Sequence, residues 1–245
     1  MKKAIERCHE DIENDLSQIT KLSQILSAVS FESHDLAENG EDLKDNNFTK
    51  VFPRIQSLGL EGHAMITTSK IDKLRQLWKN REKFIGLVVQ TAVNNSWQGV
   101  NIDFEPENGD PPTPADAKEF ATFLDLLSEA LHTRGISLSV DIASWTVFWN
   151  FELLAATRID RIITMDTYCG NFTLFEARVI NAVKIFGTRR LGIGLMTVNP
   201  TTRKPFTFEE MQARFRVIKK NDVQEIDIWD CPIPDLWVPL IEQWI

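Results

Sequence analysis

The stretch Trp97-Gln98-Gly99-Val100-Asn101-Ile102-Asp103-Phe104-Glu105-Pro106 decides how this chain is read. Val100, Ile102 and Phe104 alternate with Asn101, Asp103 and Glu105, which is the two-residue period of a β-strand. One face is apolar; the other carries two acids and an amide. An ordinary half-exposed strand would turn Lys, Thr or Ser to water, so this polar face looks onto something that wants carboxylates. In a closed parallel barrel the outward residues pack beneath helices and the inward residues line the lumen. Acids at the C-terminal end of such a strand open into the mouth. Pro106 cannot donate to a sheet ladder and is expected to end the strand, leaving Glu105 at the rim.

Working outward, strands and helices alternate along the whole chain. Ala4 to Cys8 is expected as a first strand and Asp11 to Leu26 as a helix, with Ile12, Leu16, Ile19, Leu22 and Leu26 at three- and four-residue spacing. Ala28 to Phe31 is the second strand, followed by a polar loop through Asn39-Gly40. A helix over Lys50 to Leu58 precedes the third strand, Gly62 to Thr67. Helices over Ser69 to Trp78 and Glu82 to Val93 lead to the fourth strand, already described. Ala115 to Arg134 reads as a long amphipathic helix ended by Gly135. Ile136 to Ile142 is the fifth strand, Asn150 to Ala156 a short helix and Ile159 to Thr167 the sixth strand. Leu174 to Phe186 is helical, Leu191 to Met196 is the seventh strand and Thr207 to Lys220 is again helical. Glu225 to Trp229 is the eighth strand, and Asp235 to Trp244 ends the chain. Eight strands alternating with helices, with no linker or low-complexity segment, read as one (β/α)8 barrel of the α/β class spanning residues 1–245. An open doubly wound sheet is the rival, but no G-x-G-x-x-G turn supports it.

The 245 residues suit such a barrel, which typically needs roughly 250. A net charge of −8 with no cluster of Lys or Arg argues against nucleic acid and acidic lipid and points to a neutral partner. No apolar run approaches the roughly 20 residues that span a membrane, and no signal-peptide core follows Met1-Lys2-Lys3. Three cysteines, Cys8, Cys169 and Cys231, make no disulfide framework and no metal spacing. Closure of the barrel would bring Cys8 near Cys231, although a buried free thiol is the commoner state.

Gly99 to Glu105 resembles the D-G-x-D-x-D-x-E signature at the end of the fourth strand of family 18 glycoside hydrolases, the chitinases, chitobiases and endo-β-N-acetylglucosaminidases. Asp103 and Glu105 match, while Gln98 and Asn101 stand where that signature has Asp. Val140-Asp141-Ile142-Ala143-Ser144-Trp145 is similar to the run after the family's fifth strand. Met165-Asp166-Thr167-Tyr168 resembles its M-x-Y segment with the tyrosine one place later. Tyr168 is the only tyrosine in the chain. Ile228-Trp229 resembles the tryptophan that floors the family's sugar site. About ten residues separate Met196 from Thr207, too few for the small α+β insertion, so a shallow groove is expected.

The chemistry has an independent argument. Side chains two residues apart on one strand face lie roughly 6.6 to 7 Å apart. Both carboxyls then sit on one side of the scissile bond and do not divide into acid and opposite-face nucleophile, so something else attacks. The resemblance implies substrate assistance, in which the sugar's own 2-acetamido oxygen attacks the anomeric carbon. It implies Glu105 as general acid and then base, with Asp103 beside it sharing a proton and holding the acetamido N–H. A like charge so close should raise the proton affinity of the pair. Tyr168 would donate to the acetamido carbonyl and Trp229 would lie under the ring. Asn101 would hydrogen-bond Asp103, with Asp141, Asp166 and Trp145 as further substrate contacts. Trp145, Phe148 and Trp149 form an aromatic loop that stacks further sugars or packs on the barrel top.

Other readings stay open. The N-x-D-x-E strand, with Asp141 or Asp166, would suit Mg²⁺, although no phosphate-binding loop accompanies it and no metal or other cofactor is expected. His34 and His9 fall after strands and could edge the groove. Two classes of function remain: a retaining glycosidase cutting β-1,4 linkages of N-acetylglucosamine-containing glycans, chitin-like oligomers or N-glycan cores, and a lectin of the same fold that binds such sugars without cleaving them. The presence of Glu105 favours the enzyme. A monomer with a carbohydrate partner is expected, and the resemblance implies a secreted or lysosome-like setting.

Overall fold

The computed structural model describes residues 2–6, 12–48 and 50–244, and of residues 2–6 the backbone alone. The strands are β1 (Lys2–Glu6), β2 (Ala28–Leu36), β3 (Leu43–Asp45), β4 (Glu61–Lys70), β5 (Gly99–Asn108), β6 (Ser137–Ile142), β7 (Arg161–Thr164), β8 (Leu191–Met196) and β9 (Glu225–Trp229). All but β3 pair in parallel. β1 bonds β9 on one side and β2 on the other, and the order runs β9, β8, β7, β6, β5, β4 back to β2, so the pairing closes on itself as a (β/α)8 barrel. The helices are α1 (Ile12–Leu22), α2 (Phe52–Ser57), α3 (Ile71–Lys79), α4 (Arg81–Asn94), α5 (Pro114–His132), α6 (Phe151–Ala155), α7 (Phe172–Phe186), α8 (Phe208–Lys220) and α9 (Val238–Glu242). Between β8 and α8 runs a single tight turn tied by a Val198–Pro205 bridge, in place of any α+β insertion.

β5 shows how the alternation is used. Val100, Ile102 and Phe104 are fully buried, and the Phe104 ring lies 6.1 Å from Phe123 and 6.0 Å from Phe120, both on α5. Its apolar face is therefore the outer one, beneath a helix, and Asn101, Asp103 and Glu105 face the lumen. α5 starts at a capping box in which Thr113 and Asp116 satisfy each other's backbone N–H groups, and α8 starts at another between Thr207 and Glu210. After α5 the chain turns at Gly135, whose φ of +69° a side chain would strain.

Three sequence expectations need correction. β2 runs five residues past Phe31, to Leu36, and pairs antiparallel with β3, His34 opposite Asp45 and Leu36 opposite Leu43, where a polar loop was expected. The run Glu32-Ser33-His34-Asp35 looks like loop by composition, but pairing on two sides overrides propensity. Pro106 lies within β5. Beyond Ile102 the strand no longer pairs with β6, so a missing N–H on that side breaks no ladder. The sixth barrel strand, β7, stops at Thr164, and Met165 to Thr167 form a turn in which Thr167 Oγ1 bonds the carbonyls of Thr164 and Gly194. Cys8 and His9 lie outside the described residues, so the Cys8–Cys231 approach does too; Cys231 is buried.

Candidate active site

At the C-terminal ends of the strands, Asp103, Glu105, Asp141, Trp145, Met165, Tyr168, Met196 and Trp229 line one cavity of about 150 Å³. Six of these eight residues are expected from sequence. They arrive from several strand ends and the loops after them: β5 supplies the two carboxyls, β6 Asp141, the turn after β7 Tyr168, and β9 Trp229. Glu105 is half-buried, Asp141 buried, and Trp145 47% exposed at the lip with its ring 5.4 Å from Trp149.

Tyr168 has its place because β8 is thin there. A Cβ at Gly194 would sit 2.6 Å from the Tyr168 ring and closer still to the Thr164 carbonyl oxygen, so only glycine lets the ring lie against the strand. The loop that follows is held from below by Arg214 of α8. Its guanidinium, 2% exposed, donates to the carbonyls of Cys169 (3.1 Å) and Gly170 (3.0 Å) and stacks 4.3 Å from the Phe206 ring. Burial pushes the Arg214 pKa down, opposed by the nearby Cys169 and Glu210.

The electrostatics single out Glu105. Its carboxyl is pushed up from 4.5 to about 7, mainly by burial and then by the charges of Glu107 and Glu32. A carboxylic acid still protonated near neutral pH is what proton donation to a leaving oxygen requires.

Beside this cavity, and sharing Asp103 and Glu105 with it, is a second one of about 360 Å³ lined by Glu32, Asp35, Thr67, Thr68, Ser69, Lys70 and Lys73. Sequence reasoning missed all seven. They come from the extension of β2, the end of β4 and, for Lys73, the start of α3, and a polar run directly after a predicted barrel strand was the available signal. Asp35 accepts from Lys44 (3.3 Å), Asn46 (3.3 Å) and Thr67 (3.3 Å), while Lys73 donates to the Leu36 carbonyl (2.8 Å).

Other expected contacts lie elsewhere. Asn101 donates to Ser139 Oγ at 3.0 Å and lines a separate cavity of about 120 Å³ with Ser30, His63 and Asp227. Two residues before Asp103 on the same face, it is one layer deeper in the barrel, which is why it turns to its neighbour strand. Asp166 accepts from the Ser144 N–H (2.9 Å) and hydroxyl (2.8 Å), tying the turn after β7 to the loop after β6 instead of lining the cavity. His34 is buried edge-on against Trp97 at 5.2 Å, away from the groove. Phe148 is buried against Phe120 at 4.4 Å and packs the barrel top. Among the described residues no group of three His, Cys, Asp or Glu side chains is placed to hold a metal ion, and no helix is long and apolar enough to cross a membrane.

No family model matches the chain, and no curated protein matches it in sequence. Its structure is similar to that of a chitinase from Chromobacterium violaceum, at a TM-score of 0.84 over 99% of this chain and 98% of that one, with 10% identity. It is similar to the spore cortex-lytic enzyme SleL of Bacillus megaterium, at 0.82 over 98% of this chain and 73% of that one, with 13% identity. It is also similar to catalytic domain 2 of an Ostrinia furnacalis Group II chitinase solved with a bound chito-oligosaccharide, at 0.76 over 96% and 91%, with 14% identity. What the chain shares with these chitinases and the cortex-lytic enzyme is the fold, an α/β barrel.

Proposed function

We propose that the protein is a retaining glycosidase that cleaves β-1,4 linkages next to N-acetylglucosamine, in chitin-like oligomers or N-glycan cores, with the substrate's acetamido group as nucleophile. One observation carries this: Glu105, held protonated to about 7, shares a single cavity with Asp103, Tyr168 and Trp229. Glu105 protonates the glycosidic oxygen as the acetamido oxygen attacks the anomeric carbon from the opposite face. Asp103 accepts the acetamido N–H, which strengthens the attacking oxygen, and the Tyr168 hydroxyl donates to that oxygen to fix its line of approach. The Trp229 indole forms the floor for the ring, and Asp141 and Trp145 complete the wall. Water then enters where the leaving group departed, and Glu105, now a carboxylate, takes its proton. The shared fold with chitinases and a cortex-lytic enzyme supports the substrate class.

The test is product release from a chromogenic N,N′-diacetylchitobioside. Glu105→Gln is expected to lose at least about a hundredfold in kcat, within the range for general acid catalysis. A glucoside lacking the acetamido group is expected to be inert, and its ready cleavage would rule out substrate assistance. Binding without turnover by the unaltered protein would make it a lectin.

A further inference from the structure

Outside the barrel mouth, an open groove of about 490 Å³ runs between the loop after β6 and the flank of α7. That loop is held at three points. The Ser144 N–H and hydroxyl donate to Asp166 (2.9 and 2.8 Å), Phe148 packs on Phe120 at 4.4 Å, and Asn150 caps α6 by accepting from the Leu153 N–H at 3.0 Å. Its two tryptophans are therefore set in place before any ligand arrives. Trp145 lines the cavity around Glu105, and Trp149, edge-on to it at 5.4 Å, lines the groove, so the two hollows meet across one pair of rings. Val147, between them in the chain, lines the groove at 55% exposure. The opposite wall is α7, where Asn181 and Ile185 lie one turn apart.

We propose that this groove is a second carbohydrate-binding site, which takes sugars of the same chain beyond the linkage cut at Glu105. This rests on the glycan reading argued above. A sugar ring offers apolar C–H faces and a rim of hydroxyls, so a site for it combines apolar surface with a few amide or hydroxyl groups. Here Val147, Phe151 and Ile185 supply the first, and the exposed side chains of Asn150 and Asn181 supply the second. Asn150 spends its side-chain oxygen on the helix cap and keeps its NH2 group. Apolar surface continues at Leu153 and Ile180, 38% and 50% exposed, and such grouping marks an interaction site more than scattered residues do. Glu152 is the one titratable side chain of the lining among the described residues, and it is exposed, where water screens it. The groove therefore suits a neutral occupant. A glycan leaving the mouth past Trp145 meets Trp149 next, which is why the occupant is the substrate's own continuation. Once the mouth is filled, binding in the groove is intramolecular, so a chain that spans both gains affinity that a short one lacks.

The experiment titrates ¹⁵N-labelled Glu105→Gln protein with the dimer and the hexamer of N-acetylglucosamine and follows the side-chain amide signals of Asn150 and Asn181 by NMR, a readout that does not need turnover. The hexamer is expected to shift both signals, and the dimer to shift them much less. The double variant Val147→Ser, Asn181→Ala removes apolar surface and an amide from the groove. It is expected to weaken the hexamer by on the order of three- to tenfold, and to leave dimer affinity and, with Glu105 restored, chitobioside turnover within about twofold. Both positions are exposed, and either single variant serves the same purpose should the double variant not fold. Amide signals unmoved by the hexamer, or an equal weakening of dimer and hexamer, overturn the proposal. A protein that turns over the chitobioside while its groove ignores the hexamer loses this inference and keeps the proposed function. One whose groove responds but which hydrolyses no N-acetylglucosaminide keeps the inference and loses the proposed function.

Discussion

Glu105 concentrates two demands in one side chain. In the proposed role of general acid it must be protonated when substrate binds, so kcat/KM is expected to fall on the alkaline side of about pH 7, where its carboxyl titrates. The same raised affinity carries a stability cost with a definite sign. Between the ordinary 4.5 and about 7 the folded chain holds a proton that the unfolded chain releases. Folding is therefore progressively disfavoured as pH rises through that window, and the full penalty stands above 7. Glu105→Gln removes it. The variant is expected to be more stable than the wild type at pH 8 by on the order of 1–2 kcal/mol, a figure reduced for the partly open position of the group, and no more stable at pH 4. Urea denaturation at the two pH values reads the difference, and a variant less stable at pH 8 would contradict the burial argument. That this residue is the candidate acid was legible in the N-x-D-x-E alternation of β5. That Glu32 and Glu107 reinforce it was not, because the separation of Glu32 from Glu105 along the chain says nothing until β2, β4 and β5 lie side by side.

At the scale of elements, the site depends on loops that helices and hairpins hold from behind. Arg214 illustrates this: it lies on α8, yet its two carbonyl bonds fix the loop that follows Tyr168. Arg214→Met keeps the apolar packing against Phe206 and Phe175 but leaves the buried Cys169 carbonyl and the half-buried Gly170 carbonyl without their donor. Each such loss costs about 1–3 kcal/mol, so a total destabilisation of about 2–4 kcal/mol is expected, together with a fall in kcat larger than that in KM as Tyr168 loses its fixed position. Thermal unfolding and steady-state kinetics on the chitobioside check the two parts. The helices themselves were readable from spacing and caps. The turn after β7, where a longer strand was expected, and the β2–β3 hairpin, where a loop was expected, were not, since their residues are ordered by partners distant in the chain.

Over the whole molecule the barrel separates its two tasks by face. Among the described side chains, the outer face of the barrel strands is core, and the inner face grades from a small polar cavity around Asn101 to the open mouth around Glu105. Phe104 sits at the joint between them, fully buried against α5 and flanked in sequence by Asp103 and Glu105. Phe104→Ala is expected to cost about 3–5 kcal/mol in chemical denaturation, the range for emptying an aromatic site in a packed core. A loss below about 1 kcal/mol would mean that α5 collapses onto the strand without consequence.

What the chain settles without coordinates is whatever depends on neighbours in sequence. The alternation of β5, the helix periods, the caps and the eight-fold repetition of strand and helix are local patterns, and they suffice for the barrel and for five of the groups that line its mouth beside Glu105. Tertiary structure alone decides depth and company. It sends Asn101 to Ser139, spends Asp166 on Ser144, carries β5 through Pro106 and turns Glu32 into the cavity. Those outcomes depend on register between strands, and the register of β2 against β4 shifts by one residue between Phe31 and His34, enough to change which side chain faces the mouth.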